Sequence, residues 1–255
     1  MASWESAFNM YMANVGGAPT SFIVDMNAAH HAPKATHPLR IQLRVPLLRP
    51  LPNGLRDASE LEPMGKVEDT ICARLEAALQ AIYVGRTLGA GYVTFFFYAP
   101  PAGDEKTDFA KVIGPLGEYK VQWLTEEDPK WSSYLDFLFP DEPSREQMTN
   151  RAQLEQRQKI GDNLDAERDI DHFAIFGSLE QASAARVALI EKGFRAGEPS
   201  PRGEEGQHTL EFHRRDALSL GRPNVFCAEI RAILAPFAGE YDGWGAVVVK
   251  EDPRV

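Results

Sequence analysis

Apolar and polar positions along the 255-residue chain fall into two stretches of strand and helix signals, separated by a polar run. Residues 6–15 and 20–26 predict two strands around the turn signal Gly16-Gly17. Residues 27–37 (NAAHHAPKATH) read as a polar loop. Leu39, Ile41, Leu43 and Val45 then alternate with Arg40, Gln42 and Arg44, the pattern of a half-buried strand. Pro and Asn-Gly in LRPLPNG turn the chain. Asp57 or Ser59 can cap the helix that follows, since either side-chain oxygen can accept an orphan amide hydrogen bond. Leu61, Met64, Val67, Ile71, Leu75 and Leu79 recur at helical spacing to about residue 80. AIYVGRTLG and YVTFFFYAP form a hairpin about Ala90-Gly91. Residues 104–116 suggest a short helix, YKVQWLTEED a strand, and WSSYLDFLF an aromatic helical turn that stops at Pro140.

Residues 144–166 are polar, rich in helix formers and poor in apolar positions, which predicts a solvated helical linker. The pattern then restarts. RDIDHFAIFG is a strand and LEQASAARVALIEKGF a helix, with Leu179, Ala182, Ala185, Val187, Leu189 and Ile190 as its apolar stripe. FRAGEPS and HTLEFHRRD are strands around the loop PRGEEGQ, PNVFCAEIRAILAPFA is a helix opened by Pro223, and GWGAVVV is the last strand. Residues 38–128 and the second half share one order: strand, helix, strand, strand, helix, strand. That is the order of the split βαβ unit. The predicted fold is therefore α+β: two tandem ferredoxin-like α/β sandwich domains with antiparallel sheets, the first with an added N-terminal hairpin. The expected domains are 1–143 and 167–255, joined by the linker 144–166. No residue-level repeat relates the halves.

Composition is that of a globular chain, 44% apolar and 25% charged. The net charge of −10 is spread along it: 13 Lys/Arg against 19 Asp/Glu in residues 1–150, and 14 against 18 in 151–255. Neither half resembles a phosphate-binding surface, so no direct nucleic-acid contact is expected. Acidity of this kind suits basic protein partners or plain solubility. Cys72 and Cys227 stand far apart in sequence, no disulfide framework, and read as small buried side chains. No apolar run reaches membrane-spanning length, and MASWESAFNM lacks a basic start and an apolar core. A cytoplasmic protein is expected.

The chain carries no Walker loop, dinucleotide fingerprint, HExxH, paired CxxC or GxSxG. Neither a catalytic residue nor a cofactor or metal is expected. His30, His31 and His37 could bind zinc, but a loop without a fixed scaffold favours plain solvation. Asp169, Asp171 and His172 could form a carboxylate–imidazole pair, but strand alternation turns His172 away from the two acids. YVTFFFY could stack bases. Its two faces are both apolar, which fits better a strand covered on both sides.

GEYDGWG (239–245) is the stretch most open to interpretation: a tight turn with aromatic packing, or a recognition surface. In the ferredoxin-like order it would lie near Gly177-Ser178 and the loop 198–207, away from Asp169 and Asp171. The two acidic stretches are thus not expected to share one active site.

RDIDHFAIF at 168–176, Gly193-Phe194 and GEYDGWGAVVV at 239–249 resemble the regulator of ribonuclease E activity B family. RIQLRVPLLRPLPNGL (40–55), VEDTICARLEAAL (67–79), the hairpin from Tyr83 to Tyr98 and DPKWSSYLDFLFP (128–140) resemble domain of unknown function 695. The first resemblance implies an acidic interaction module that inhibits ribonuclease E by binding its non-catalytic region; the second implies no activity. The expectation is a non-enzymatic protein-interaction module with a protein partner, ribonuclease E or another RNA-processing enzyme. Its candidate contact residues are Glu240, Tyr241, Asp242, Trp244, Asp169 and Asp171, where Tyr and Trp serve as anchors and the acids meet basic side chains. The alternative is an enzyme or small-ligand binder with a site in an interdomain cleft, drawing on His172, His208, His213, Arg214 and Glu211.

Overall fold

Alternation at 39–46 and the doubly apolar run at 92–98 meet in one sheet. In a computed structural model describing residues 4–101, 108–203 and 206–250, the chain divides into two compact units, Met1–Met148 and Thr149–Val255. Each is built on one antiparallel sheet. The first unit runs β1 (Phe8–Val15), β2 (Ala18–Asp25), β3 (Leu39–Pro46), α1 (Leu61–Leu79), β4 (Ile82–Gly89), β5 (Tyr92–Ala99), α2 (Phe109–Ile113) and β6 (Gln122–Glu127). The sheet order is β1-β2-β4-β5-β3-β6. The last four strands in that list have the ferredoxin-like arrangement, and the hairpin β1–β2 extends the sheet beyond β4.

Helix α1 lays Met64, Val67, Ile71 and Leu75 onto Ile41, Leu43, Val45, Phe95 and Phe97. The opposite face holds a second core, in which Tyr11, Phe22, Val84, Phe96 and Tyr98 pack against Trp131, Tyr134 and Leu138. Trp131 stacks on Tyr98 at 4.1 Å, and its indole N–H donates to the His37 carbonyl at 2.9 Å. Both sides of β5 are therefore apolar for the reason its sequence suggested. The Asp57 carboxylate accepts from the Ser59 N–H, capping the 3-10 turn that leads into α1. The helix expected over 104–116 is a five-residue helix at Phe109–Ile113; residues 104–107 lie outside the described residues.

Helix α3 (Glu142–Lys159) occupies most of the expected linker. Met148 on it joins the first unit's core, and Leu154 the second's. The second unit continues with β7 (Arg168–Phe176), α4 (Leu179–Glu191), β8 (Arg195–Ala196), β9 (Ser200–Arg202), β10 (Gln207–Asp216), α5 (Arg222–Leu234) and β11 (Glu240–Ala246). Its order, β11-β7-β10-β8 with β9 beside β10, is again ferredoxin-like. Ala182, Ala185 and Leu189 of α4 and Phe226, Cys227, Ile230 and Leu234 of α5 cover Ile170, Ala174, Phe176, Leu210 and Phe212. Leu179, Val187 and Ile190, expected in the α4 stripe, are exposed instead. The strand expected from FRAGEPS shortens to β8. The final strand ends at Ala246, so Val247 to Val249 are not part of it. Among the described residues no helix is long and apolar enough to cross a membrane.

Candidate protein-interaction face

The burial of β7 alternates residue by residue. Ile170, His172, Ala174 and Phe176 enter the core under α4 and α5, while Asp169, Asp171, Phe173 and Ile175 point to the other face. On β10, Glu211 stands opposite Phe173 and His213 opposite Asp171, whereas Phe212 and Arg214 stand opposite His172 and Ile170. The residues of the ligand-site alternative are thus split. His172 and Arg214 belong to the helix side, and Glu211 and His213 to the open side.

The last strand, expected over GWGAVVV, begins earlier in the motif and takes in Glu240 to Gly245 of GEYDGWG. Glu240 pairs with Ile175 and Tyr241 with Ala174; the register then slips, so that Gly243 meets Phe173, Trp244 meets His172 and Gly245 meets Asp171. Asp242 is the extra residue of this β-bulge. Gly243 follows it at φ +110°, a conformation that side-chain-bearing residues rarely adopt. The slip has a consequence for the aromatics. Tyr241 and Trp244 are three residues apart, which strict alternation would place on opposite faces. The bulge turns both inward.

Tyr241 is buried, and its hydroxyl lies 2.9 Å from His172 Nδ1. The Trp244 indole N–H donates to Asn150 Oδ1 at 2.8 Å, its ring meets Phe226 edge-on, and the Arg157 guanidinium lies over it. The Asn150 amide donates in turn to Asn224 Oδ1 at 2.9 Å. These contacts tie α3, α5 and β11 together. The surface-anchor expectation for Tyr241 is corrected by its burial, and Trp244 spends its polar edge inside the unit. His172, enclosed by Phe194, Phe212, Phe226 and Tyr241, has its pKa lowered to about 4, by burial first and by the nearby Arg214 second. It is neutral at pH 7.

The four acids lie on the other side of this arrangement. Asp169 pairs with Arg195 at 2.8 Å. Asp242 pairs with Arg202 at 3.1 Å, which brings the 198–207 segment to the motif as expected. The far end of the motif, however, runs beside Asp171 at Gly245. Among the described residues Asp171, Glu211 and Glu240 have no ion-pair partner. A Cβ built on Gly243 or Gly245 would meet nothing within 4 Å. This face holds Phe173 and Ile175 in the middle, Gly243 and Gly245 beside them, and the carboxylates of Asp171, Glu211 and Glu240 around.

A polar network that sequence reasoning missed secures the end of β11. The Asp162 carboxylate accepts from Arg168 at 2.5 Å, Arg157 at 2.8 Å and the Val249 N–H at 2.9 Å. Burial opposes its charge, but these donors together hold its pKa below the usual carboxylate range. Arg168 also donates to the Val247 carbonyl at 3.1 Å. The apolar run after Ala246 is therefore tied to the 162–168 segment instead of extending the sheet.

The other candidates resolve locally. His31 stacks on Trp4 at 4.7 Å. The Thr36 hydroxyl lies 2.8 Å from His37 Nδ1, and Nε2 lies 3.2 Å from the Gln80 carbonyl. Burial, with help from Lys34, lowers the His37 pKa. Cys72 is half-buried and its thiol is pushed up to about 12, chiefly by burial; Cys227 is buried. Among the described residues no group of three or more His, Cys, Asp or Glu side chains could hold a metal ion.

The model of the Family of unknown function (DUF695) matches residues 6–139, just over half of the chain. The chain belongs to this family. Its second unit matches the family model described as Regulator of ribonuclease activity B over residues 147–246, from within α3 to the last residue of β11. In this DUF695 protein the match thus takes in Asn150, Leu154 and Arg157, the α3 residues that pack with the second unit. No curated protein matches the chain. A solved structure, "Crystal Structure of an Unknown Protein from Galdieria sulphuraria", is 11% identical and covers 82% of this chain and 98% of its own, with a TM-score of 0.21, too low to carry an argument.

Proposed function

We propose that this chain is a non-enzymatic regulator that binds a basic segment of a protein partner on the open sheet face of its second unit, and that the partner is ribonuclease E or another RNA-processing enzyme. The observation that carries the reading is the facing of the strands. Asp171, Glu211 and Glu240 stand unpaired among the described residues on a face that neither α4 nor α5 covers, around Phe173 and Ile175. Unpaired acids at the rim of an apolar strip favour a cationic partner and speed its encounter. The match to Regulator of ribonuclease activity B supports the class of partner.

On this reading Asp169, Asp171, Glu240 and Asp242 contact the partner, while Tyr241 and Trp244 act by holding β11 in register. Asp169 and Asp242 would exchange Arg195 and Arg202 for the partner's cations. Calorimetric titration of the intact chain into purified ribonuclease E, with the cleavage rate of a model RNA followed in parallel, tests the proposal. Saturable binding with slowed cleavage is expected. Absence of both would remove ribonuclease E as the partner.

A further inference from the structure

Among the described residues, four places in the two sheets present an outer strand, and three are guarded against strand addition. β6 carries Glu126 and Glu127, β8 and β9, which share one side of β10, are two and three residues long, and β11 carries Glu240, Asp242 and a bulge. Charges, shortness and bulges are the usual protections of an open edge. β1 has none of them. It is eight residues long and pairs with β2 in unbroken register from Phe8↔Asp25 to Val15↔Ala18. Residues 6–24 contain no Asp, Glu, Lys or Arg, in a chain of net charge −10.

The outer edge of β1 is also correctly equipped. The Met26 N–H donates to the Ala7 carbonyl, and Val15 and Ala18 flank the two-residue turn. Odd-numbered residues of β1 therefore bond inward to β2, and Phe8, Met10, Met12 and Asn14 turn their N–H and C=O groups outward. The Met10 N–H is met by the Asn9 side-chain oxygen at 2.8 Å. The side chains of Phe8, Met10 and Met12 are exposed, 45%, 38% and 40%. They lie on the side opposite Tyr11, which packs in the core with Trp131 and Tyr134.

We infer that β1 is a self-association edge, at which two copies of this chain pair antiparallel through β1 to form one continuous sheet. The occupant follows from charge and from symmetry. Two acidic chains repel across most of their surfaces, and the uncharged 6–24 segment is where they can approach. Antiparallel pairing of a strand with its own copy places the same side of each strand on the same face, so the Phe8, Met10 and Met12 stripes of the two copies merge. The two-fold closes the assembly: both β1 edges are consumed, and each end of the joint sheet is a β6 guarded by glutamates.

Light scattering on the eluting intact chain over a range of concentrations is the test, with Met12→Pro and Met10→Lys beside the wild type. Met12→Pro removes an outward N–H that β2 does not use, and Met10→Lys sets like charges against each other at the joint. The wild type should have twice the 28.3 kDa chain mass, and both variants the single mass with unchanged circular dichroism; should one variant unfold, the other decides. A wild type that stays at the single mass at every concentration overturns the inference. So does a dimer that persists in a folded variant, which would place the contact elsewhere. A complex with a different chain that the variants abolish would show that the edge takes a foreign strand and not a second copy.

Discussion

Both units wind their strands in the same ferredoxin-like order, yet among the described residues the first sheet has a core on each face and the second on only one. The difference is written in the central strands. YVTFFFY on β5 gives Phe95 and Phe97 to α1 and Phe96 and Tyr98 to the segment holding Trp131 and Tyr134. RDIDHFAIF on β7 gives Ile170, His172, Ala174 and Phe176 to the helices and leaves Asp169, Asp171, Phe173 and Ile175 outside. A face that the protein itself fills is spent on stability. A face left open, with unpaired acids, is where a partner can bind.

The comparison can be broken most strongly in the first unit. Trp131 is fully buried and stacked on Tyr98, so Trp131→Ala should destabilise that unit by about 3–5 kcal/mol. Hydrogen exchange resolved by segment should show β4 and β5 opening while β7 and β10 keep their protection. In the second unit, a Cβ on Gly239 would overlap the Phe176 ring. Gly239→Ala should cost about 1–3 kcal/mol through overpacking, read by urea denaturation, and should loosen β11 without touching the open-face acids.

A smaller effect is read by pH: both units hold a histidine with a lowered pKa, and the shift is larger at His172 in the second unit than at His37 in the first. The folded pKa of His172 is about 4, below its unfolded value near 6.5, so the unfolded chain binds the extra proton. The stability this contributes is whole above about pH 6.5 and is lost as pH falls toward 4, with a slope of at most about 1.4 kcal/mol per unit. Arg214 adds to the lowering, while Asp216 and Glu229 oppose it. The resistance of the wild type to denaturation should fall between pH 6.5 and 5 in the second unit. In His172→Phe, which suits the surrounding rings, that slope should flatten; an unchanged slope would assign the titration to another group.

Much of this architecture was legible from periodicity. The alternation of β3 and β7, the doubly apolar β5 and the repeated element order all follow from where side chains point on a pleated strand. What periodicity could not show was destination. WSSYLDFLF reads as an aromatic turn, but nothing in its spacing says that Trp131 caps Tyr98. The site was half legible for a similar reason. The outward facing of Asp169 and Asp171 follows from alternation, but the inward facing of Trp244 depends on the bulge at Asp242-Gly243. One inserted residue reverses the facing of everything after it. Val247 to Val249 have strand-like composition but lie beyond the pairing, tied to Asp162, Asn163 and Arg168; long-range polar contacts of that kind leave no mark in a local pattern.

The most direct test of the open-face account is calorimetric binding of ribonuclease E to the wild-type chain and to an Asp171→Lys, Glu240→Lys double variant, with thermal melts of both. Both side chains lie on the face away from the core, so stability should change by no more than about 0.5 kcal/mol per site. The account expects binding to weaken at least tenfold in the variant while the melt is unchanged. Equal affinity for the two proteins, with both folded, would contradict it and move the binding surface elsewhere.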